Sequence, residues 1–285
     1  MSQFKCYLCG GNNERTVAAS RQMRFGCYGY DKKVVECAGC GLVQLYPQWT
    51  PGELDELYSK YWQKQDFPGQ KKKVKISDYI DRFIKKGDSI LEIGCGWGDN
   101  LKRLRSKGYD VTGIDKDPAV CDGNIVLQYD IKDYKLGKKF DFIYGIHLFE
   151  HMSDPRSFIG AVADKLKDNG SFLLEVPSLD DPLLKLYKIK RFNEFYWYPY
   201  HLFFYDKVSI KILFNYHPEL EIKIYPIQQY GLINHLRWLI FRRPGNWNAH
   251  IPVLDDIYKS ILVRILGHCD TMVVHGKLKK RTGKE

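Results

Sequence analysis

The sequence predicts an α/β chain built on an open, mostly parallel sheet and preceded by a small metal-stapled module. Three observations carry this. Short apolar runs ending in an acid alternate with helix-like segments over about residues 78–225. The stretch Ile90-Leu-Glu-Ile-Gly-Cys-Gly-Trp-Gly-Asp-Asn100 passes from strand through glycine turn to helix. Two Cys-x-x-Cys pairs, Cys6/Cys9 and Cys37/Cys40, stand ahead of both.

At the N-terminus, each cysteine pair is followed by glycine, Gly10 and Gly41, which lets backbone amides turn toward the sulfurs. The 27 residues between Cys9 and Cys37 exceed the usual ribbon spacing, but knuckles carried on hairpins tolerate such variation. Four thiolates form a closed tetrahedral shell, so the expected metal is structural Zn2+ rather than a catalytic ion. Four sulfurs also suit iron, which the lack of further cysteine ligands disfavours. Cys27 reads as a spare, buried neutral thiol. Thr50-Pro51-Gly-Glu53 is a helix-start signature, and Tyr58, Tyr61 and Trp62 follow it as an aromatic stripe. These boundaries divide the chain into a ribbon over 1–48, a helical linker or lid over 49–77, and a main domain over 78–285 with insertions at about 178–205 and 229–268.

The first strand carries Glu92 and breaks at Gly94, Gly96 and Gly98, with Cys95 as a small residue inside the turn. A dinucleotide fingerprint needs its third glycine at position 99, which is Asp99, so pyrophosphate cradling fits poorly. Tyr109–Asp115 reads as the second strand, and Asp115 stands 21 residues beyond Gly94, placed to accept from ribose hydroxyls. Residues 125–130 read as a third strand ending in Asp130, and Lys139–His147 as a fourth. Asp154-Pro155 caps a helix expected to stop at Asn169-Gly170, and Ser171–Pro177 is strand five. Asp141, at the start of its strand, reads as structural. Asp206 to Tyr216 reads as a helix, Leu220–Ile227 as strand six, and Thr271–Lys277 as the last strand.

The E-x-G-x-G-x-G turn with its downstream acids resembles the class I S-adenosylmethionine (SAM) methyltransferases across about residues 78–225. The resemblance implies a Rossmann-like, seven-stranded methyltransferase sheet with SAM as cofactor. It implies SAM-binding roles for Glu92, Gly94, Cys95, Gly96, Gly98, Asp115, Lys116, Asp130, Ile131 and Ile146, with Asp130 and Ile131 on the adenine side. A zinc ribbon joined through a Tyr/Trp helix to that core resembles methyltransferases that modify sugars and surface polysaccharides. In that setting Tyr58, Tyr61 and Trp62 either cover the SAM pocket or pack the linker to the core.

Residues 191–205 are dense in aromatics and follow strand five, so they are expected over the carboxyl edge of the sheet, where substrates dock. Gln228–His235 resembles a substrate-facing stretch of the sugar-modifying relatives. Methyl transfer from a sulfonium is an in-line displacement, and a hydroxyl or carbon acceptor gains from a base. The candidate bases are His147 and His151, just past strand four, and His201 in the aromatic insertion. The Asn/Asp-Pro-Pro-Tyr/Phe tetrapeptide of amino-directed nucleic-acid methyltransferases is absent; Gly145-Ile-His-Leu148 stands in its place.

The 285 residues carry 44 lysines and arginines against 34 acids, a net charge of +10 that suits an anionic or nucleotide-linked substrate. The basic residues gather only at Lys71–Lys75 and in the tail from Lys277. No apolar run spans a membrane and no secretory leader is visible, so the protein is expected in the cytoplasm with its eight cysteines reduced. The expected partner is a small-molecule or carbohydrate acceptor, a sugar, nucleotide sugar or polysaccharide precursor methylated on oxygen or carbon. An RNA substrate gripped by the ribbon and the basic residues is the competing expectation.

Overall fold

The computed structural model describes residues 3–19, 31–50, 52–54, 56, 80–117, 120–121, 123–124, 126–128, 130–133, 137–243 and 251–279. Cys27, the aromatic stripe at 58–62, the lysine run at 71–75 and the tail beyond 279 lie outside them.

The first three strands, β1 (Glu14–Ala19), β2 (Lys33–Cys37) and β3 (Val43–Tyr46), form an antiparallel meander, with Cys6 and Cys9 at a turn ahead of β1 and Cys37 and Cys40 at the β2–β3 turn. Its helix start is as expected: the Glu53 amide donates to Thr50 Oγ1 at 3.3 Å, and the Thr50 amide donates to Glu53 Oε2 at 2.7 Å.

The main sheet holds seven described strands in the order β10-β11-β8-β7-β4-β5-β6. They are β4 (Ser89–Ile93), β5 (Asp110–Asp115), β6 (Val126–Gln128), β7 (Phe140–Ile146), β8 (Leu166–Pro177), β10 (Leu220–Ile227) and β11 (Thr271–Leu278). All neighbouring pairs from β8 to β6 run parallel, while β11 runs antiparallel to both β8 and β10. Every residue of β4 is buried, as a central parallel strand covered on both faces requires. Helices α1 (Asp99–Ser106), α2 (Pro155–Lys165), α3 (Pro182–Lys185), α4 (Lys190–Tyr196) and α5 (Lys207–Phe214) follow in chain order, then α6 (Leu232–Phe241) and α7 (Pro252–Ser260). Asp141 is structural as expected: it accepts from the Ser89 amide and hydroxyl and from Lys167 Nζ.

Three details differ from the sequence reading. Helix α2 begins at its Asp154 cap as expected but ends at Lys165, because Leu166 already pairs with Phe140. Strand β8 therefore starts at Leu166, and the Asn169-Gly170 pair lies within it, at a register shift in the pairing with β7. The third strand is shorter, ending at Gln128, so Asp130 sits just beyond it.

The aromatic insertion also divides its side chains. Phe203 and Phe204 form a short strand, β9, that pairs with β3 and adds a fourth strand to the N-terminal sheet rather than lying wholly over the catalytic edge. Phe4, Leu8, Val34 and Leu45 of the module share one hydrophobic core with Leu91 and Ile143 of the main sheet. Polar ties reinforce this. Arg156 Nη2 donates to the carbonyls of Leu8 (2.6 Å) and Tyr7 (3.3 Å), and Tyr216 Oη donates to that of Leu8 at 2.9 Å. The Arg156 guanidinium also lies 3.5 Å from the Tyr216 ring centroid.

Candidate functional site

The carboxyl edge of the parallel strands gathers the chemistry. The glycine turn leaves β4, Asp115 ends β5, Asp130 follows β6, and His147 follows β7. Gly94 (φ +68°) and Gly96 (φ +51°) are both left-handed, a conformation that costs any other residue. A Cβ on Gly94 would stand 2.8 Å from Leu148 Cδ1, whereas one on Gly96 would meet nothing within 4 Å. The turn thus closes against the protein at Gly94 and opens a backbone-lined space at Gly96.

Asp115 both shapes and borders that space. Its Oδ2 accepts from the Gly96 amide at 2.9 Å, and its Oδ1 accepts from the Asp117 amide at 3.0 Å. Lys116 Nζ lies 2.7 Å from Asp130 Oδ2, so two of the predicted site residues pair directly. Burial pushes the Asp130 carboxyl up, but Lys116 and the Lys132 amide outweigh it and hold the group below its ordinary value. Cys95 packs inward beside Leu101 and Val126, Ile131 is buried in the main core, and Ile146 packs on a second cluster with Tyr144.

Glu92 is the least exposed of the predicted acids. Its Oε1 accepts from Asn100 Nδ2 at 2.8 Å, tying β4 to the first turn of α1. Burial raises its pKa to about 8. The folded protein therefore holds a proton on Glu92 that the unfolded chain releases above about pH 4.5, so this contribution to stability falls as pH rises toward 8. The expected slope is on the order of 1 kcal/mol per pH unit between those values. Glu92→Gln should flatten the pH dependence of thermal unfolding by that amount between pH 5 and 7.5. An unaltered slope would show that Glu92 is ionised in the fold.

The three histidines occupy different environments. His147 is half-exposed at the edge, in a left-handed conformation (φ +49°) held by its amide, which donates to the Glu175 carbonyl at 3.0 Å. Two buried carboxylates flank its ring: Glu150 Oε1 lies 3.6 Å from Nδ1, and Glu175 Oε1 lies 3.4 Å from Nε2. His151 and His201 lie deeper. His151 Nδ1 is 2.9 Å from the Tyr200 carbonyl, its ring stacks on Tyr200, and His201 stands edge-on to it at 4.9 Å. Burial, reinforced by His151, lowers His201 to about 3, and burial also lowers His151. Burial alone would raise Glu150, but the surrounding histidines hold it down to about 2. Ligand atoms of Glu150, His151 and His201 lie within 4.8 Å of one another.

Sequence reasoning missed Glu175. An acid inside the apolar strand Ser-Phe-Leu-Leu-Glu-Val-Pro was the available signal, since a carboxyl there is buried only at a cost. Burial raises its pKa to about 7, and Gln229 Nε2 donates to it at 2.7 Å. Beyond Gln229, Asp270 accepts from Gln228 Nε2 at 2.6 Å and from the amides of Gln229 and Tyr230 at 3.0 Å. The Gln228–His235 stretch is thereby anchored beside β8. A cavity of about 320 Å³ on the module side, lined by Arg15, Glu36 and Trp197 among others, contains none of these groups.

The four sulfurs of Cys6, Cys9, Cys37 and Cys40 converge within 4.8 Å, with Cys6–Cys40 and Cys9–Cys37 each at 3.5 Å. Burial opposes ionisation of Cys37, but the amides of Cys40 and Gly39 bring it to about 7. Convergence and donor chemistry both fit a tetrahedral soft-metal site.

A family model described as a methyltransferase domain matches residues 69–216, just over half of the chain. Among curated proteins, the mitochondrial ubiquinone biosynthesis O-methyltransferase of Schizosaccharomyces pombe is 28% identical over 114 residues, covering 35% of this chain and 42% of its own. The ubiquinone biosynthesis O-methyltransferase of Coxiella burnetii is 30% identical over 105 residues (32% and 45%). The cyclopropane-fatty-acyl-phospholipid synthase of Escherichia coli is 30% identical over 129 residues (40% and 33%). The chain thus spans less than half the length of the curated relatives it matches. A solved SAM-dependent methyltransferase from Archaeoglobus fulgidus aligns over 79% of this chain and 94% of its own at 18% identity and TM-score 0.44. With the family matched across the strands that build the catalytic edge, and with the glycine turn and strand-end acids in place there, the chain belongs to the class I SAM-dependent methyltransferases.

Proposed function

We propose that the protein methylates a small-molecule acceptor, on a hydroxyl or an acidic carbon of a sugar, nucleotide sugar or surface-polysaccharide precursor, with His147 as the base. The observation that carries this reading is the placement of His147: accessible, at the carboxyl edge, between two buried carboxylates. His201 is buried and His151 partly so, and burial lowers the basicity of both, which suits positioning better than proton transfer. The ubiquinone biosynthesis relatives are O-methyltransferases by name, which supports a hydroxyl acceptor and its need for a base. The basic run at 71–75, on which an RNA substrate would depend, lies outside the described residues.

SAM supplies a methyl group on a sulfonium leaving group. The open face at Gly96, with Gly94, Gly98, Glu92, Cys95 and Ile146 around the turn, would receive its amino-acid end. Asp115 and Lys116 would take the ribose, and Asp130 and Ile131 the adenine. His147 accepts the proton of the acceptor as the methyl group is transferred, and Glu150 and Glu175 stabilise the imidazolium that forms. Cys6, Cys9, Cys37 and Cys40 would hold a structural Zn2+.

Asp115→Ala should weaken SAM binding by about 1–3 kcal/mol, the cost of leaving ligand hydroxyls unpaired. Calorimetry measures this, and an unchanged affinity would remove Asp115 from the site. For the function itself, purified protein incubated with cell extract and isotope-labelled SAM should transfer label from SAM to a small, nuclease-resistant product. Label in nuclease-sensitive material would replace the acceptor reading with RNA.

A further inference from the structure

We propose that α6 and α7 dock the protein on an anionic lipid surface beside its catalytic edge. The two helices leave the sheet where β10 ends and return where β11 begins, so both spring from the edge that carries His147. One side of the pair is tied together and, through Tyr258 and Tyr187, to the body. The Leu232 amide donates to buried Asp255 at 2.8 Å, His235 Nδ1 meets Tyr258 Oη at 2.6 Å, and Tyr258 meets Tyr187 at 2.7 Å. His235, Trp238 and Leu262 face inward and are buried.

The outward side is apolar. Leu236 and Ile240 repeat at i,i+4 on α6, and Val253, Ile257, Ile261 and Ile265 repeat at the same interval along α7 and the turn after it. Ile240, Val253 and Ile265 are 67%, 70% and 74% exposed. A soluble monomer seldom leaves a stripe of this kind uncovered.

Charge decides what covers it. Arg242, Arg243 and Arg264 are exposed at the ends of the two helices, whereas of the two acids on α7, Asp255 is buried and only Asp256 is exposed. Isoleucine and leucine on one face with arginines at its margin is the pattern of a helix lying in the headgroup layer, where guanidinium groups meet lipid phosphates. Neither helix is long and apolar enough to cross a membrane, so the pair rests on the surface. The link to the site is direct. Gln229, which leads into α6, donates to Glu175, and Glu175 faces His147. A docked protein would therefore meet an acceptor anchored in the bilayer at the edge that carries its base.

The test is co-sedimentation of the full-length protein with phosphatidylcholine vesicles and with vesicles of equal phosphatidylcholine and phosphatidylglycerol. Partitioning should be about tenfold stronger on the anionic vesicles and weaken with added salt. The triple substitution Ile240→Glu, Ile257→Glu, Ile265→Glu should abolish it while leaving the unfolding midpoint and SAM binding unchanged, since these side chains are exposed. Absence of wild-type binding to either vesicle overturns the proposal without any variant. So does a wild-type dimer in light scattering that the triple substitution returns to monomer, which would make the face an interface between copies. Because the readout is partitioning, it is independent of whether methyl transfer to a small acceptor is found.

Discussion

Cys37→Ser is expected to empty the N-terminal metal site and lower the stability of the whole protein. Cys37 is the thiol on which two amides converge, and serine offers a poor ligand to a soft metal in a set built from four sulfurs. Structural zinc contributes folding energy outright, about 10–16 kcal/mol in small zinc-binding peptides. The effect here should be smaller in proportion, because the module also packs on the main sheet. It should not stay local, however. The module and the main sheet share one core, and Arg156 and Tyr216 grip the first knuckle. Elemental analysis should find about one zinc per wild-type chain and essentially none in the variant. Calorimetry should show one transition shifted down rather than a second, earlier transition. Unchanged zinc content would refute the site.

His147→Ala is expected to lower kcat by roughly 10²–10⁴-fold, the usual contribution of a positioned base, with SAM affinity unchanged. Stability should fall only modestly: the side chain is half-exposed, but buried Glu150 loses the neighbour that does most to hold it ionised. His201→Ala provides the contrast. It removes a buried ring packed between His151 and Phe204, so it should reduce stability first and turnover only through disorder of the site. If His147→Ala retains turnover within about threefold of wild type, the base lies elsewhere. If His201→Ala loses activity at full stability, the buried ring takes the proton.

The parts of the site legible in the sequence are those encoded locally. The glycines at 94 and 96 mark backbone conformations that few other residues adopt, and Asp115 follows from the length of β5. The helix caps at Thr50 and Asp154 were equally readable, since a cap is a contact with a residue three positions away. What escaped depends on partners far along the chain. Glu175 gains meaning only when β7 brings His147 beside it and Gln229 arrives from the end of β10. The pairing of β9 with β3 joins segments more than 150 residues apart, and nothing in Phe203-Phe204 distinguishes a sheet edge from a substrate wall. The end of α2 was misplaced because a glycine that serves a strand irregularity looks the same as one that stops a helix.

The β3–β9 pairing has a consequence for biosynthesis. A chain leaving the ribosome presents β1 to β3 early, yet the open edge of β3 has no native partner until residue 204 has emerged. During that interval the exposed edge and its apolar face wait for most of the main domain to be translated. The β1–β3 meander must therefore keep a pairing-competent shape until β9 arrives to close its edge.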